Sequence, residues 1–260
     1  VWYSDPTGPA PDETSSLGAL AADMAAGRVE ALVILDTNPA YASHGELGFA
    51  ELLARVPQRI HVGMHHDETA LLCPWHLPLS HPLESWGDAR AVDGSVTIIQ
   101  PVVSPLYDSR SLPQITDMLL GVTDPAADAA VRATWEKSFG EAFATRWTDA
   151  LHDGFVAGTQ SQPVMRSAKP VPAAAPTHPS HGEIDIIFRP DPTVWDGRFA
   201  NVAWLQELPK PLSKITWDNV IAIGPGLAFA RGLSNGDLLD VTVGARRLRG
   251  PAWIMPGQPS

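Results

Sequence analysis

The sequence predicts an α/β protein over residues 1–158 and a β-rich part from about Asn219 onward. Three observations carry this reading. Helix-like and strand-like stretches alternate between Ser15 and Val62 at the spacing of a parallel α/β unit. A long helical signal runs from Ala126 to Leu151. Beyond a Pro- and Ala-rich stretch at 159–182, the apolar residues fall into short strand-like runs bounded by turn signals.

Taken in order, residues 1–14 are rich in Pro, Asp, Ser and Thr and predict loose structure. Ser15 or Ser16 can cap a helix reaching about Ala26, which Gly27 ends. Val29–Leu35 reads as a buried strand, and Asp36-Thr37-Asn38-Pro39 as the turn after it. Gly45–Val56 carries Leu47, Phe49, Leu52 and Leu53 at helical spacing, and Pro57 stops it. Arg59–Val62 is a second short strand. From Met64 to Arg90 the pattern is irregular. Val96–Ile99 predicts a strand and Ser111–Leu120 a helix. In Ala126–Leu151, Val131, Trp135, Phe139, Phe143 and Trp147 recur every four residues, an aromatic stripe that reads as core packing. Residues 159–182 read as a linker or long surface loop. Glu183–Phe188, Asn219–Ile223, Leu238–Val243 and Leu248–Ile254 are strand-like, with turns at Asp196-Gly197 and Asn235-Gly236. Gly224-Pro225-Gly226 reads as a turn. The expected segments are therefore 1–158, 159–182, 183–218 and 219–260.

Composition narrows the function. The 260 residues hold 18 Lys plus Arg against 29 Asp plus Glu, a formal net charge of −11. That argues against a nucleic-acid groove, which needs a basic surface. No apolar run approaches the ~18 residues of a membrane-spanning helix. Cys73 is the single cysteine, so neither a disulfide framework nor a cluster held by four cysteines of this chain can form. The sequence opens at Val1 and stops at Pro256-Gly-Gln-Pro-Ser260, straight after a strand-like run. This predicts a piece of a longer protein, marginal alone because cut strands leave open edges.

The densest chemical group is His61, His65, His66, Asp67, Glu68, Cys73, His76 and His81. Such side chains ligate zinc or iron, and Cys73-x-x-His76 has a ligand-like gap. The two-His helix face of zinc hydrolases is absent, however, and Leu71, Leu72, Pro74 and Trp75 favour an inert, buried Cys73. A Cys–His nucleophile is disfavoured by the same apolar setting. Glu84 and Asp88 suit a solvated face as well as acid–base work. The Asp36–Pro39 turn lies at the carboxyl end of a predicted parallel strand, where open α/β sheets bind ligands. An Asx-type structural turn reads the same way.

Several strings resemble one family. Val33-Ile-Leu-Asp-Thr-Asn-Pro39 is similar to the Gly-x-Asn-Pro strand–turn of the molybdopterin-dependent oxidoreductases. Asp67-Glu-Thr-Ala70, Leu77-Pro78 and Glu84-x-x-Gly87 resemble their Glu-Thr-Ala, Leu-Pro and Glu-x-x-Gly run. Asn235–Val243, closing on Pro256-Gly257, resembles the start of their C-terminal β-barrel. Trp75–Pro78, Leu83–Arg90, Phe188–Pro192, Trp195–Asn201 and Trp204–Pro211 are similar to one branch, the large iron–sulfur subunit of bacterial alternative complex III.

The resemblance implies a Rossmann-like parallel-sheet domain of the molybdopterin oxidoreductase type, followed by part of a C-terminal β-barrel. It implies a cofactor-free scaffold in a respiratory quinol-oxidising complex. No cofactor is expected in residues 1–260, and iron–sulfur clusters are expected in a following part. Partners would be heme c proteins and quinol-binding membrane subunits at the periplasmic face of a bacterial inner membrane. Trp86, Trp195 and Trp204 would serve packing or subunit contacts. The family's glycine before Thr-Asn-Pro is Asp36 here, whose carboxylate would repel a pyrophosphate. The alternative is a catalytic molybdenum or tungsten bis-pterin oxidoreductase. Thr37, Asn38, Asp67 and Thr69 would then contact a molybdopterin guanine dinucleotide.

Overall fold

A computed structural model describes residues 16–165 and 184–258. The chain forms two compact units, Val1–Ala174 and Ala175–Ser260. The expectations for residues 1–14 and most of the 159–182 linker lie outside the described residues.

The first unit opens with α1 (Leu17–Ala25), whose N-cap Ser16 accepts a hydrogen bond from Ala19 N through Oγ at 3.1 Å. Strand β1 (Ala31–Leu35) runs parallel to β2 (Gln58–Gly63), which runs parallel to β3 (Trp75–Pro78). The sheet order is β1-β2-β3, so β2 is central. That position explains why its second half, His61, Val62 and Gly63, is wholly buried. Between β1 and β2 lie the short α2 (Pro39–Ala42), a 3₁₀ turn at Gly45–Leu47, and α3 (Phe49–Leu53). The single helix expected over Gly45–Val56 is thus two pieces, because Gly48 adopts φ 59° and breaks it. Met24 of α1, Ile34 of β1, and Phe49, Leu53 and Val56 form the first core. The irregular stretch Met64–Arg90 contains α4 (Glu68–Leu71), β3, a 3₁₀ turn at Pro82–Glu84, and β4 (Gly87–Arg90).

A second core in the same unit joins β4 and its antiparallel partner β5 (Val96–Ile99) to helices. Helix α5 (Leu112–Leu119) is capped by Ser111. The helix expected over Ala126–Leu151 is α6 (Ala129–Phe139) and α7 (Phe143–Asp153), separated at Gly140, where φ is 56°. Residues four apart drift by about 40° round a helix of 3.6 residues per turn, so five of them cannot share one buried face. The break resets the phase. Val131, Trp135 and Phe139 are buried from α6, Trp147 is buried from α7, and Phe143 is half-buried. Trp86 stacks on Trp147 with ring centroids 6.3 Å apart.

In the second unit, Ile184–Pro190 carries no strand, contrary to the expectation over Glu183–Phe188; Glu183 itself lies outside the described residues. Ile184, Ile186 and Phe188 alternate as a strand would, but all three stay exposed, so no packed face or ladder partner holds the segment extended in a sheet. Buried Gln206 on α8 (Ala203–Glu207) donates to Thr193 O and Phe199 O at 3.0 and 3.1 Å and fastens the loop around it. Buried Lys210 donates to Asp218 O at 2.6 Å and lies 3.5 Å from Asp191. Gly224-Pro225-Gly226 begins a helix, α9 (Pro225–Arg231), with Pro at its first position. Strands β6 (Ile221–Ile223), β7 (Leu238–Val243) and β8 (Arg246–Ile254) make an open sheet of order β6-β8-β7. β6 pairs β8 in parallel and β7 pairs β8 antiparallel. Among the described residues no closed sheet is present, so the expected partial barrel is seen only as this three-stranded sheet. Trp195 and Trp204 are exposed.

Candidate functional site

The loops at the carboxyl ends of β1 and β2 meet. Parallel strands carry their following loops on one edge, so the turn after β1 and the start of α4 are neighbours. Asn38 Oδ1 accepts hydrogen bonds from Thr69 Oγ1 at 2.7 Å and Thr69 N at 3.2 Å. Asn38 Nδ2 donates to Glu68 Oε2 at 2.7 Å. Thr69, fully buried, also accepts from Ala40 N at 3.0 Å. Its hydroxyl is therefore used as donor and acceptor at once. Asp67 caps α4, accepting from Ala70 N at 2.9 Å. The Asn38 amide holds the Glu68 carboxyl below the ordinary range.

The structure thus brings Asn38, Asp67 and Thr69 together. Thr37 is exposed and lies on the rim of a different feature, an apolar hollow of about 370 Å³ between α1, β1 and α3. Leu17, Leu32, Pro39 and Phe49 line it. Asp36, where the resemblance expects glycine, sits at φ 48°, in the left-handed region that favours glycine. Its backbone N donates to Val62 O at 2.8 Å, which ties the turn to β2.

Beneath these loops lies a histidine pair. His61 is buried, and its Nδ1 is 2.9 Å from His76 Nδ1 across the β2–β3 register. The rings stack with centroids 5.1 Å apart. Two bare nitrogens would repel and two protonated ones would collide, so one proton lies between them. His61 Nε2 has no hydrogen-bond partner and faces Asp67 Oδ1 at 3.7 Å. A lone pair there would oppose a carboxylate. The arrangement therefore favours a proton on His61 Nε2, with His76 as donor between the rings. Burial, then the neighbouring His61 and His66, push the His76 pKa down. Gly63 makes the pair possible, since a Cβ there would stand 2.6 Å from His61 Cε1.

The remaining residues of that sequence cluster part company. His66 meets His76 edge-on at 5.2 Å. Cys73 is half-buried against the first core, and desolvation raises its thiol pKa, as an inert thiol requires. His81 caps the 3₁₀ turn with Glu84, and Asp88 accepts from Trp135 Nε1 at 2.8 Å. Among the described residues no group of three or more His, Cys, Asp or Glu is placed to hold a metal ion. No described helix is long and apolar enough to cross a membrane.

The sequence matches no family profile. Over 85 residues it is 31% identical to the menaquinone reductase, molybdopterin-binding-like subunit, of Nitratidesulfovibrio vulgaris. That match covers 31% of this chain and 12% of the relative. In structure the chain is similar to acetylene hydratase from Pelobacter acetylenicus, with a TM-score of 0.55 over 93% of this chain and 38% of the other, at 14% identity. The chain has a mixed α/β fold with a parallel sheet that is similar to the molybdopterin oxidoreductase fold. Partial sequence identity to a subunit of that type agrees with the structural likeness. The chain spans well under two thirds of either relative.

Sequence reasoning missed two things here. It did not pair Asn38 with Thr69, because a contact between residues so far apart in sequence leaves no local pattern. It also passed over Ser80 and Ser109 and gave Ser111 only as a helix start, though all three are buried. The only available signal was the run of small polar residues beside Arg110 and a helix start.

Proposed function

We propose that this chain is a cofactor-free, molybdopterin-type scaffold in a membrane-bound respiratory complex that oxidises quinol, of the alternative complex III type. The observation that carries the reading is the internal use of the side chains that would hold a pterin dinucleotide. Asn38, Asp67 and Thr69 spend their hydrogen bonds on one another, on Glu68 and on the backbone. The two loops also carry three carboxylates, Asp36, Asp67 and Glu68, where a diphosphate would need donors and positive charge. The hollow beside Thr37 is lined mainly by aliphatic side chains. These residues do not fit the cofactor, and no reaction step passes through it.

The work of the chain is then positional: it holds neighbouring subunits at electron-transfer distance. Heme c proteins and quinol-binding membrane subunits are the partners on this reading, at the periplasmic face. Iron–sulfur clusters would belong to a further part of a longer protein, and the β6-β8-β7 sheet to a larger barrel. The likeness to a menaquinone reductase subunit supports the respiratory setting. One observation favours the second reading, a catalytic molybdenum or tungsten oxidoreductase: Thr37 and Asn38 stand at the carboxyl end of a parallel strand. The test is the molybdenum, tungsten, iron and pterin content of the native full-length protein. Iron without molybdenum, tungsten or pterin supports the scaffold. Stoichiometric molybdenum or tungsten with pterin overturns it.

A further inference from the structure

We propose that a cleft of the first unit, beyond the end of β3, binds a carboxylate carried on a compact apolar body. The cleft has a volume of about 390 Å³, within the usual range for small-molecule sites. It is built by an extension of the sheet. Leu79 bridges Arg110 in parallel fashion, Ser80 N donates to Arg110 O at 3.0 Å, and Arg110 N donates to Pro78 O at 3.2 Å. This lays Ser109, Arg110 and Ser111 beside the end of β3, on the edge where parallel sheets receive ligands.

The hydrogen-bond inventory selects the ligand. Ser80 Oγ and Ser109 Oγ lie 2.8 Å apart, and both residues are 6% exposed. Two hydroxyls bonded to each other use one hydrogen and leave the other without a protein acceptor. Arg110 uses Nη1 for Asp108 Oδ1 at 2.7 Å and Ser109 O at 3.1 Å, and its Nε and Nη2 have no protein partner among the described residues. The acceptors in the same wall are already engaged. Glu84 accepts from His81 N at 2.9 Å and Leu106 N at 3.1 Å. Gln114 Oε1 accepts from Ser111 N at 3.0 Å and Ser111 Oγ at 3.2 Å. The cleft therefore has donors to spare and needs an acceptor.

Charge limits that acceptor to a single negative unit. Asp108 is almost fully exposed and its charge is screened, so Arg110 can balance one ligand charge, whereas the second charge of a dianion such as phosphate would face Glu84 unbalanced. Trp86, Val102 and Pro105 supply the apolar side. A monocarboxylate on a ring or short branched chain satisfies both walls, with Arg110 as the charged anchor.

The experiment titrates benzoate into the ¹⁵N-labelled full chain and follows the backbone amides of Ser80, Arg110 and Ser111. Benzamide, its neutral counterpart, and inorganic phosphate serve as comparison probes. Saturable benzoate shifts are expected, with benzamide about tenfold weaker for want of the charge-assisted bond. Arg110→Gln should weaken benzoate about tenfold and leave benzamide unchanged. Ser80→Ala should weaken benzoate by a smaller factor, and it keeps the test alive if Arg110→Gln unfolds. No saturable benzoate shift, equal binding of benzoate and benzamide, tighter binding of phosphate, or indifference of benzoate to both substitutions would each overturn the proposal.

Discussion

Replacing Thr69 by Val probes the bond that joins the β1 and β2 loops. Val keeps the shape of a fully buried side chain and removes its hydroxyl. Two hydrogen bonds disappear, the 2.7 Å donation to Asn38 Oδ1 and the 3.0 Å acceptance from Ala40 N. The Thr69 N to Asn38 Oδ1 bond stays. A buried polar group left unsatisfied costs about 1–3 kcal/mol, and Ala40 is only half-buried, so we expect a loss of about 2 kcal/mol. Asn38→Ala removes the same bond from the other side and also frees Thr69 N. Its bond to exposed Glu68 adds little, so a similar loss of about 2 kcal/mol is expected. Since the two substitutions share a bond, the double variant should fall short of the sum by about 1 kcal/mol. Urea unfolding of the first unit in all four proteins measures the cycle. Amide exchange at Ala40 reports the loop itself and should quicken about tenfold for each 1.4 kcal/mol lost locally. Additivity within about 0.3 kcal/mol, with unchanged exchange at Ala40, would refute the argument.

Four further outcomes can be measured. The folded His76 pKa lies below its ordinary 6.5, so the unfolded chain binds the proton more readily just beneath that pH. Stability should then fall as pH drops from 6.5 toward the folded pKa and level off below it; melts of wild type and His76→Phe, with His152→Asn as the control of opposite sign, check this. Gly63→Ala should misplace the His61 ring and cost about 2 kcal/mol in a melt, while Gly63→Ala combined with His61→Ala should cost less than His61→Ala plus Gly63→Ala alone. Gly140→Ala meets no neighbouring atom, so its cost should be purely conformational, about 1–3 kcal/mol by denaturation, because φ 56° with ψ −132° is a backbone region that side chains avoid. Lys210→Met should destabilise the second unit by about 3 kcal/mol, because Asp191 loses its cation and Asp218 O its donor; a melt followed in that unit tests it.

The parts that could be read from sequence are those with local causes. Ser16, Gly27 and Ser111 mark helix ends through their own caps, and β1, β2, β5, β6, β7 and β8 follow β-branched or apolar runs. The aromatic stripe was core, as expected. Its single helix was not, because Gly140 sits where an amphipathic pattern alone shows no interruption. Strand β3 hides in Trp75-His-Leu-Pro78, which is mostly exposed and owes its form to pairing with β2. Of the candidate site, Asn38, Asp67 and Thr69 were named and are together. Their mutual bonds depend on how β1 and β2 align, which no residue spacing reveals. Thr37 was named with them but lines a different hollow.

The layout of the β6-β8-β7 sheet also orders events in time. Val243 pairs with Arg246 across two intervening residues, so β7 and β8 can close as a hairpin on microseconds, with little chain entropy lost. β6 reaches β8 only after α9 and β7 have been passed, and it joins in parallel. The longer closure and the parallel pairing make its docking slower than the hairpin. Substitutions in the hairpin, such as Asp240→Ala beside Arg249, should therefore slow folding of this unit. Those at Ile221 or Ile223 should chiefly hasten its unfolding.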